Sequence, residues 1–278
     1  MLFRSAPVSD EAGPDAALPP DAGSARVLLV EDNVFNQELA VDLLGRAGVL
    51  VSVASDGQQA LDALARERFD AVLMDCQMPV MDGYAATRAL RLQPALRTLP
   101  VIAMTANAMV GDREAVLAAG MNDHIAKPIV VGEMFATLAR WVKPTRSVAT
   151  GADRPASNTI QALSGIDTRR GLDNIGGDDA LYRRMLGLFR DSETDFVQRF
   201  DAARAAGDAE TAMRAVHDLK GEAGTLGMHG VQRAAIALER AWLEGARDAD
   251  IDDRVREVSG NLNAVIDEIR GFQSARVA

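Results

Sequence analysis

Cysteine is almost missing from this 278-residue chain: Cys76 is the only one. A single thiol excludes an internal disulfide framework and a cysteine-built zinc site, and it fits a reducing compartment. Basic charge is also short, with 30 Lys and Arg against 40 Asp and Glu and a net charge of -10. There is no basic run, so no surface suited to neutralising a phosphate backbone, and nucleic acid is not an expected partner. Long apolar runs are lacking too: none approaches the roughly 20 residues that a bilayer span needs. The opening stretch MLFRSAPVSDEAGPDAALPPDAGSA has no apolar core of the kind a signal peptide carries, and its Pro, Asp, Gly and Ser content reads as a disordered tail over 1–25. These absences together predict a cytoplasmic protein with no membrane segment. Histidine is equally scarce, at three residues: His124, His217 and His229.

What is present divides into two ordered regions. The first, 26–142, alternates strand-length apolar runs with stretches of helical period. VLLV (27–30), AVLM (71–74) and VIAM (101–104) are the strong runs, and VSVA (51–54) and HIA (124–126) the weaker ones. Helical patterns fill 34–47, 57–67, 83–92, 109–119 and 131–142. Five βα repeats with continuously apolar strands predict a doubly wound parallel sheet covered on both faces. A Pro-, Ser-, Thr- and Gly-rich stretch over 143–165 reads as a linker, able to span on the order of 25 Å as a random coil. The second region, 166–273, has no strand-like run. Its patterns predict helices over about 178–205, 208–227, 229–245 and 249–272, a four-helix bundle.

Open α/β sheets bind ligands beyond the carboxyl ends of their strands. At those ends stand Glu31 and Asp32, Asp75, Thr105, and Lys127 followed by Pro128. Three carboxylates in one crevice repel each other, and a divalent cation relieves the repulsion. An all-oxygen ligand set favours Mg²⁺ or Mn²⁺. A carboxylate beside such a cation, with a hydroxyl and an ammonium nearby, suits phosphoryl transfer through an acyl phosphate.

The stretches RVLLVEDNVFNQ, VLMDCQMPVMDGYAATRALR, PVIAMTANA and MNDHIAKPI resemble the receiver domain of two-component response regulators, over the whole first region. The separations of Asp75 from Thr105 and of Thr105 from Lys127, 30 and 22 residues, are also receiver-like. The resemblance implies a flavodoxin-like fold with Asp75 as phospho-acceptor. It implies Mg²⁺ held by Glu31, Asp32, Asp75 and the Gln77 carbonyl, Thr105 as switch hydroxyl, and Lys127 before a cis-proline at Pro128. His124 departs from the pattern, because receivers often carry Tyr or Phe three residues before the lysine. Gln77 and Asn107 fall at positions that tune hydrolysis in receivers, and Cys76 reads as buried filler.

The second constellation is HDLKGEAGTLG, 217–227. Ala212, Val216, Leu219, Ala223 and Leu226 step by four and three, a seam facing a bundle core. His217 lies off that seam. Its own face carries Met213, Lys220, Gly221 and Gly224. Glycine inside a helix costs about 1 kcal/mol relative to alanine, so two of them beside an imidazole suggest access gained at the expense of stability. A neutral imidazole is a nucleophile near pH 7. The motif resembles the signature of histidine phosphotransfer (HPt) domains. It implies His217 as phospho-acceptor, Lys220 as supporting charge and Gly221 as a place for close docking. Glu222 departs from that pattern, which favours small or hydroxylic residues there, and a charge at this position is expected to tune partner choice. His229, Trp141 and Trp242 read as structural.

A receiver aspartate and an HPt histidine in one chain imply a phosphorelay. The donor would be a sensor kinase histidine and the final acceptor the receiver of a downstream response regulator. The arrangement resembles the C-terminal part of unorthodox hybrid sensor histidine kinases. No glycine-rich ATP lid is present, and no second histidine sits in a kinase-type dimerisation helix, so the chain is not expected to use ATP by itself. A phosphorylation-controlled interaction module is the alternative, as is a fragment of a hybrid kinase without its ATP-binding domain.

Overall fold

The computed structural model describes residues 25–105, 110–142 and 163–274, with the side chains of α4 described from 113 onward. The tail up to residue 24, most of the linker and Asn107 lie outside the described residues, and Ala25, read as the end of the tail, is buried, its carbonyl accepting the Leu50 N–H at 2.8 Å. In the first region β1 (Arg26–Val30), β2 (Leu50–Ala54), β3 (Ala71–Asp75), β4 (Val101–Thr105) and β5 (Asp123–Ala126) alternate with α1 (Val34–Arg46), α2 (Gly57–Arg66), α3 (Gly83–Leu92), α4 (Val110–Ala118) and α5 (Val131–Trp141). The strands form one parallel sheet in the order β2-β1-β3-β4-β5.

Alternation along the strands divides the apolar residues between two faces. Val27, Leu29, Leu73, Ile102, Met104 and Ile125 pack on the side of α1 and α5. Leu28, Val30, Val72, Met74, Val101 and Ala103 pack on the side of α2 and α3, where Cys76 is buried with them. Trp141 anchors α5 to β5, its Nε1 donating to Asp123 Oδ2 at 2.8 Å.

The second region is helical among the described residues: α6 (Thr168–Asn174), α7 (Asp179–Glu193), α8 (Phe196–Ala205), α9 (Ala209–Thr225), α10 (His229–Leu243) and α11 (Asp248–Ser274). Tyr182, Phe189, Phe196 and Phe200 are fully buried at the bundle centre, and Trp242 meets Phe200 edge-on at 5.6 Å. The expected seam of α9 holds, since Ala212, Val216, Leu219, Ala223 and Leu226 are all at 0% exposure.

Two expectations need correction. The stretch read as one helix over 178–205 is broken between Glu193 and Phe196. Ser192, Thr194 and Asp195 favour local backbone hydrogen bonds over helix. Arg199 holds the break, donating to the Ser192 carbonyl at 2.8 Å and to Glu193 Oε2 at 2.9 Å. The short α6 was not expected at all. Asp167 caps it, accepting from Arg170 N–H at 3.0 Å. The φ of +77° at Gly227 lets the chain turn from α9 into α10, with Met228 N–H bonded to the Ala223 carbonyl at 2.8 Å.

The two regions touch. The bundle core is continuous with the α1 and α5 side of the sheet. Arg184 of α7 donates to Asp42 of α1 at 2.8 Å, and Arg46 of α1 pairs with Asp178 at the N-terminus of α7.

Candidate functional site

The sheet places four strand ends around one crevice. The β1–α1 turn carries Glu31 and Asp32, and Asn33 caps α1 by accepting the Asn36 N–H at 3.0 Å. Glu31 is 1% exposed and accepts from Asn36 Nδ2 at 3.0 Å. Asp75 ends β3, its Oδ1 accepting the Gln77 N–H at 3.0 Å. Gly83 is forced by proximity: a Cβ there would lie 2.1 Å from the Asp75 carbonyl oxygen. Thr105 ends β4 and is buried, and its carbonyl accepts the Lys127 N–H at 2.7 Å. The Lys127–Pro128 peptide is cis, as the receiver resemblance implies. Lys127 Nζ reaches Asp75 Oδ2 at 2.7 Å and Glu31 Oε2 at 2.8 Å.

Carboxylate oxygens of Glu31, Asp32 and Asp75 lie within 4.8 Å of one another. One ammonium faces three acids. Burial, with the neighbouring Asp75 charge, pushes the Glu31 carboxyl up to about 7 against the pull of Lys127. Burial and Asp75 also raise Asp32. Burial works against the Lys127 charge, yet Glu31 and Asp75 together hold its pKa above the ordinary value. These residues therefore fit a hard divalent cation: an all-oxygen set with surplus negative charge. His124 lies on β5 opposite Ala103, with Nδ1 4.0 Å from Asp123 Oδ1 and its side chain partly exposed.

On the bundle, His217 sits mid-α9 with its side chain 20% exposed. Its Nδ1 faces Glu239 Oε1 of α10 at 3.8 Å. Lys220 Nζ donates to both oxygens of Glu239, at 2.8 and 2.7 Å. The sequence reading found the lysine and missed its partner, which lies 19 residues on and on another helix. The His217 contact, backed by Lys220 and opposed by burial, holds the Glu239 carboxyl down at about 2. The two glycines also differ. A Cβ at Gly221 would meet nothing within 4 Å, whereas one at Gly224 would strike Gln232 Nε2 at 2.3 Å and lie 3.5 Å from Pro128 Cγ. Gly221 is open, whereas Gly224 lies under the end of the Gln232 side chain.

One stripe of α9 meets the acidic crevice. Arg214 Nη1 stands 3.8 Å from Asp32 Oδ2, and Glu222 Oε1 accepts from Asn33 Nδ2 at 2.8 Å. Asp218 lies between them on the same stripe. Burial, with the charge of Asp32, pushes it up to about 7. Arg214, Asp218 and Asn33 were not singled out in the sequence, and only their spacing of four along α9 hinted at the first two. Glu222 is 1% exposed, and burial next to Glu193 raises its carboxyl well above the ordinary range.

Residues 27–139 match the response regulator receiver domain, and residues 184–272 match the Hpt domain. The chain is a receiver domain followed by an Hpt domain. Similar proteins include the signal transduction histidine-protein kinase BarA of Shigella flexneri, 30% identical over 244 residues, which are 87% of this chain and 26% of that protein. The sensor histidine kinase GacS of Pseudomonas protegens is 34% identical over 202 residues, 70% of this chain and 22% of the kinase. This receiver–Hpt chain thus spans about a quarter of the length of the curated relatives it matches. Among solved structures, the receiver domain of sensor histidine kinase PA1611 from Pseudomonas aeruginosa PAO1 is 49% identical. It covers 42% of this chain and 97% of that domain with a TM-score of 0.41, and it has magnesium coordinated in its active site cleft. Among the described residues no helix is long and apolar enough to cross a membrane.

Proposed function

We propose that this receiver–Hpt pair is a phosphorelay intermediate, taking a phosphoryl group on Asp75 and exchanging it with His217. The observation that carries this reading is the docking of the His217 helix against the acidic crevice that holds Asp75, through Arg214 and Glu222. A sensor kinase phosphohistidine is the donor: its P–N bond breaks as an Asp75 oxygen bonds phosphorus. In the return step the Asp75 P–O bond breaks, the carboxylate leaves, and a His217 nitrogen takes the phosphoryl group for delivery to a downstream receiver. Glu239 faces Nδ1 at 3.8 Å, which leaves Nε2 as the nitrogen turned away from α10 and the one assigned as nucleophile. Lys127 neutralises charge on the transferred group, and the Thr105 hydroxyl turns toward it. Glu31, Asp32, Asp75 and the Gln77 carbonyl would hold Mg²⁺ or Mn²⁺, which would supply electrostatic stabilisation of the phosphoryl oxygens when bound.

The experiment is transfer of label from a partner kinase to wild type, Asp75→Asn and His217→Gln. The relay reading expects acid-labile label on His217 of the wild type, none on Asp75→Asn, and label confined to Asp75 in His217→Gln. Label that stops at Asp75 in the wild type would replace it with the phosphorylation-controlled interaction module. Label on His217 in Asp75→Asn would mean that another receiver serves the histidine.

A further inference from the structure

Asn33 does two jobs with one amide. Its Oδ1 accepts the Asn36 N–H at 3.0 Å and caps α1. That bond fixes the amide's orientation and turns Nδ2 outward, where it donates to Glu222 Oε1 at 2.8 Å, 189 residues away in the sequence. Glu222 is 1% exposed, and among the described residues no hydrogen bond reaches its Oε2. The amide is therefore the hydrogen-bonding partner of a buried carboxyl. Leaving a buried acceptor unpaired costs more than the bond itself contributes. A site built this way rejects partners that lack the donor more strongly than it rewards those that have it.

We propose that Glu222 and Asn33 are the specificity pair by which this Hpt domain selects a receiver. A receiver docks productively on α9 only if it presents a hydrogen-bond donor at the residue following its acidic pair, where α1 is capped. This inference rests on the phosphotransfer reading and names the chemistry of the partner surface. The ion pairs of α1 with α7, Asp42 to Arg184 and Arg46 to Asp178, are half-exposed and set orientation. The discrimination lies in the buried pair.

The test is a reversal of donor and acceptor in the full chain. Asn33→Asp keeps the helix cap, since Asp caps as well as Asn, but it replaces the amide donor that faces the buried Glu222 with a second carboxyl. Glu222→Gln supplies the missing donor. Asp75 is loaded with a small acyl phosphate, and the rate of transfer to His217 is taken per loaded Asp75, so any change in loading cancels. Asn33→Asp alone is expected to slow transfer by about tenfold or more. Asn33→Asp with Glu222→Gln is expected to return to within about threefold of wild type, although the same extra carboxyl still sits beside the acidic crevice. In the unphosphorylated chain, hydrogen exchange at the start of α1 and along α9 is expected to rise in the single variant and fall back in the double. Equal transfer and exchange in Asn33→Asp and wild type would overturn the proposal, as would a double variant no better than the single. If wild type itself transfers nothing, the relay reading fails, and the exchange data alone decide whether the pair governs docking.

Discussion

The two candidate centres are built in opposite ways. The receiver crevice collects Glu31, Asp32, Asp75, Thr105 and Lys127 from the ends of four strands, and every partner of Lys127 is distant in sequence. The histidine centre is mostly one turn of one helix, with Glu239 of α10 as outside support. The first is buried and charge-dense, so small errors in position are costly there. The second is a fifth exposed and draws on few contacts, which suits the exchange between partners proposed for it. One site is pre-organised by a sheet, and the other is presented by a rod.

The sharpest way to break this contrast is to remove the crevice's cation. Lys127→Met leaves two buried carboxyls facing each other, and the receiver should lose about 3 kcal/mol in urea unfolding at pH 7 in the presence of a chelator. Added Mg²⁺ should recover part of that loss. If the metal changes nothing, the idea that cations balance this crevice is wrong.

The same deletion at the other centre should cost less. Glu239→Gln removes the carboxylate charge that holds Lys220 and faces His217, and should cost the bundle about 1–2 kcal/mol at pH 7. The sign with pH follows from the lowered carboxyl. Glu239 sits at about 2 in the folded chain against 4.5 ordinarily, so its stabilisation is complete above pH 4.5 and is lost as pH falls toward 2. Thermal melts of wild type and Glu239→Gln should therefore differ at pH 6 and converge near pH 2.5. A gap that persists at the lower pH would show that the contact matters through packing rather than charge.

The smallest effects separate the two helix glycines. Gly221→Ala puts a methyl into open space and should stabilise α9 by about 0.5–1 kcal/mol. Gly224→Ala should gain less than Gly221→Ala, because its methyl requires the Gln232 amide to move aside. Denaturant midpoints decide both. Equal stabilisation by both substitutions would mean that the Gln232 amide does not pack over Gly224.

Much of this was legible along the chain. The strands were marked by continuous apolar runs, and the five crevice residues by their places at strand ends, because a parallel sheet sends its carboxyl ends to one rim whatever its loops contain. His217 was legible because a helix writes its faces into a three-and-four spacing. The break in the helix after Glu193 was not, since Phe189 and Phe196 keep helical spacing across it and only the Arg199 contacts fix the kink. Glu239 was invisible for the same kind of reason: its role depends on how α10 lies against α9. The open character expected of both glycines held for Gly221 alone, since clearance depends on what another helix brings near.

The sequence by itself determined the periodicities, and with them the elements, the sheet rim where acids, hydroxyl and lysine gather, and the off-core face of the histidine helix. Such features follow from local backbone geometry and from which residues must avoid water. Only the tertiary structure decided which charges face each other: that Lys220 is held by Glu239, and that Arg214 meets Asp32. It also decided that Glu222, a charged residue by sequence, is buried under the amide of Asn33. Coulombic and hydrogen-bond energies depend on distance and burial rather than on order along the chain, and those two quantities exist only once the helices have packed.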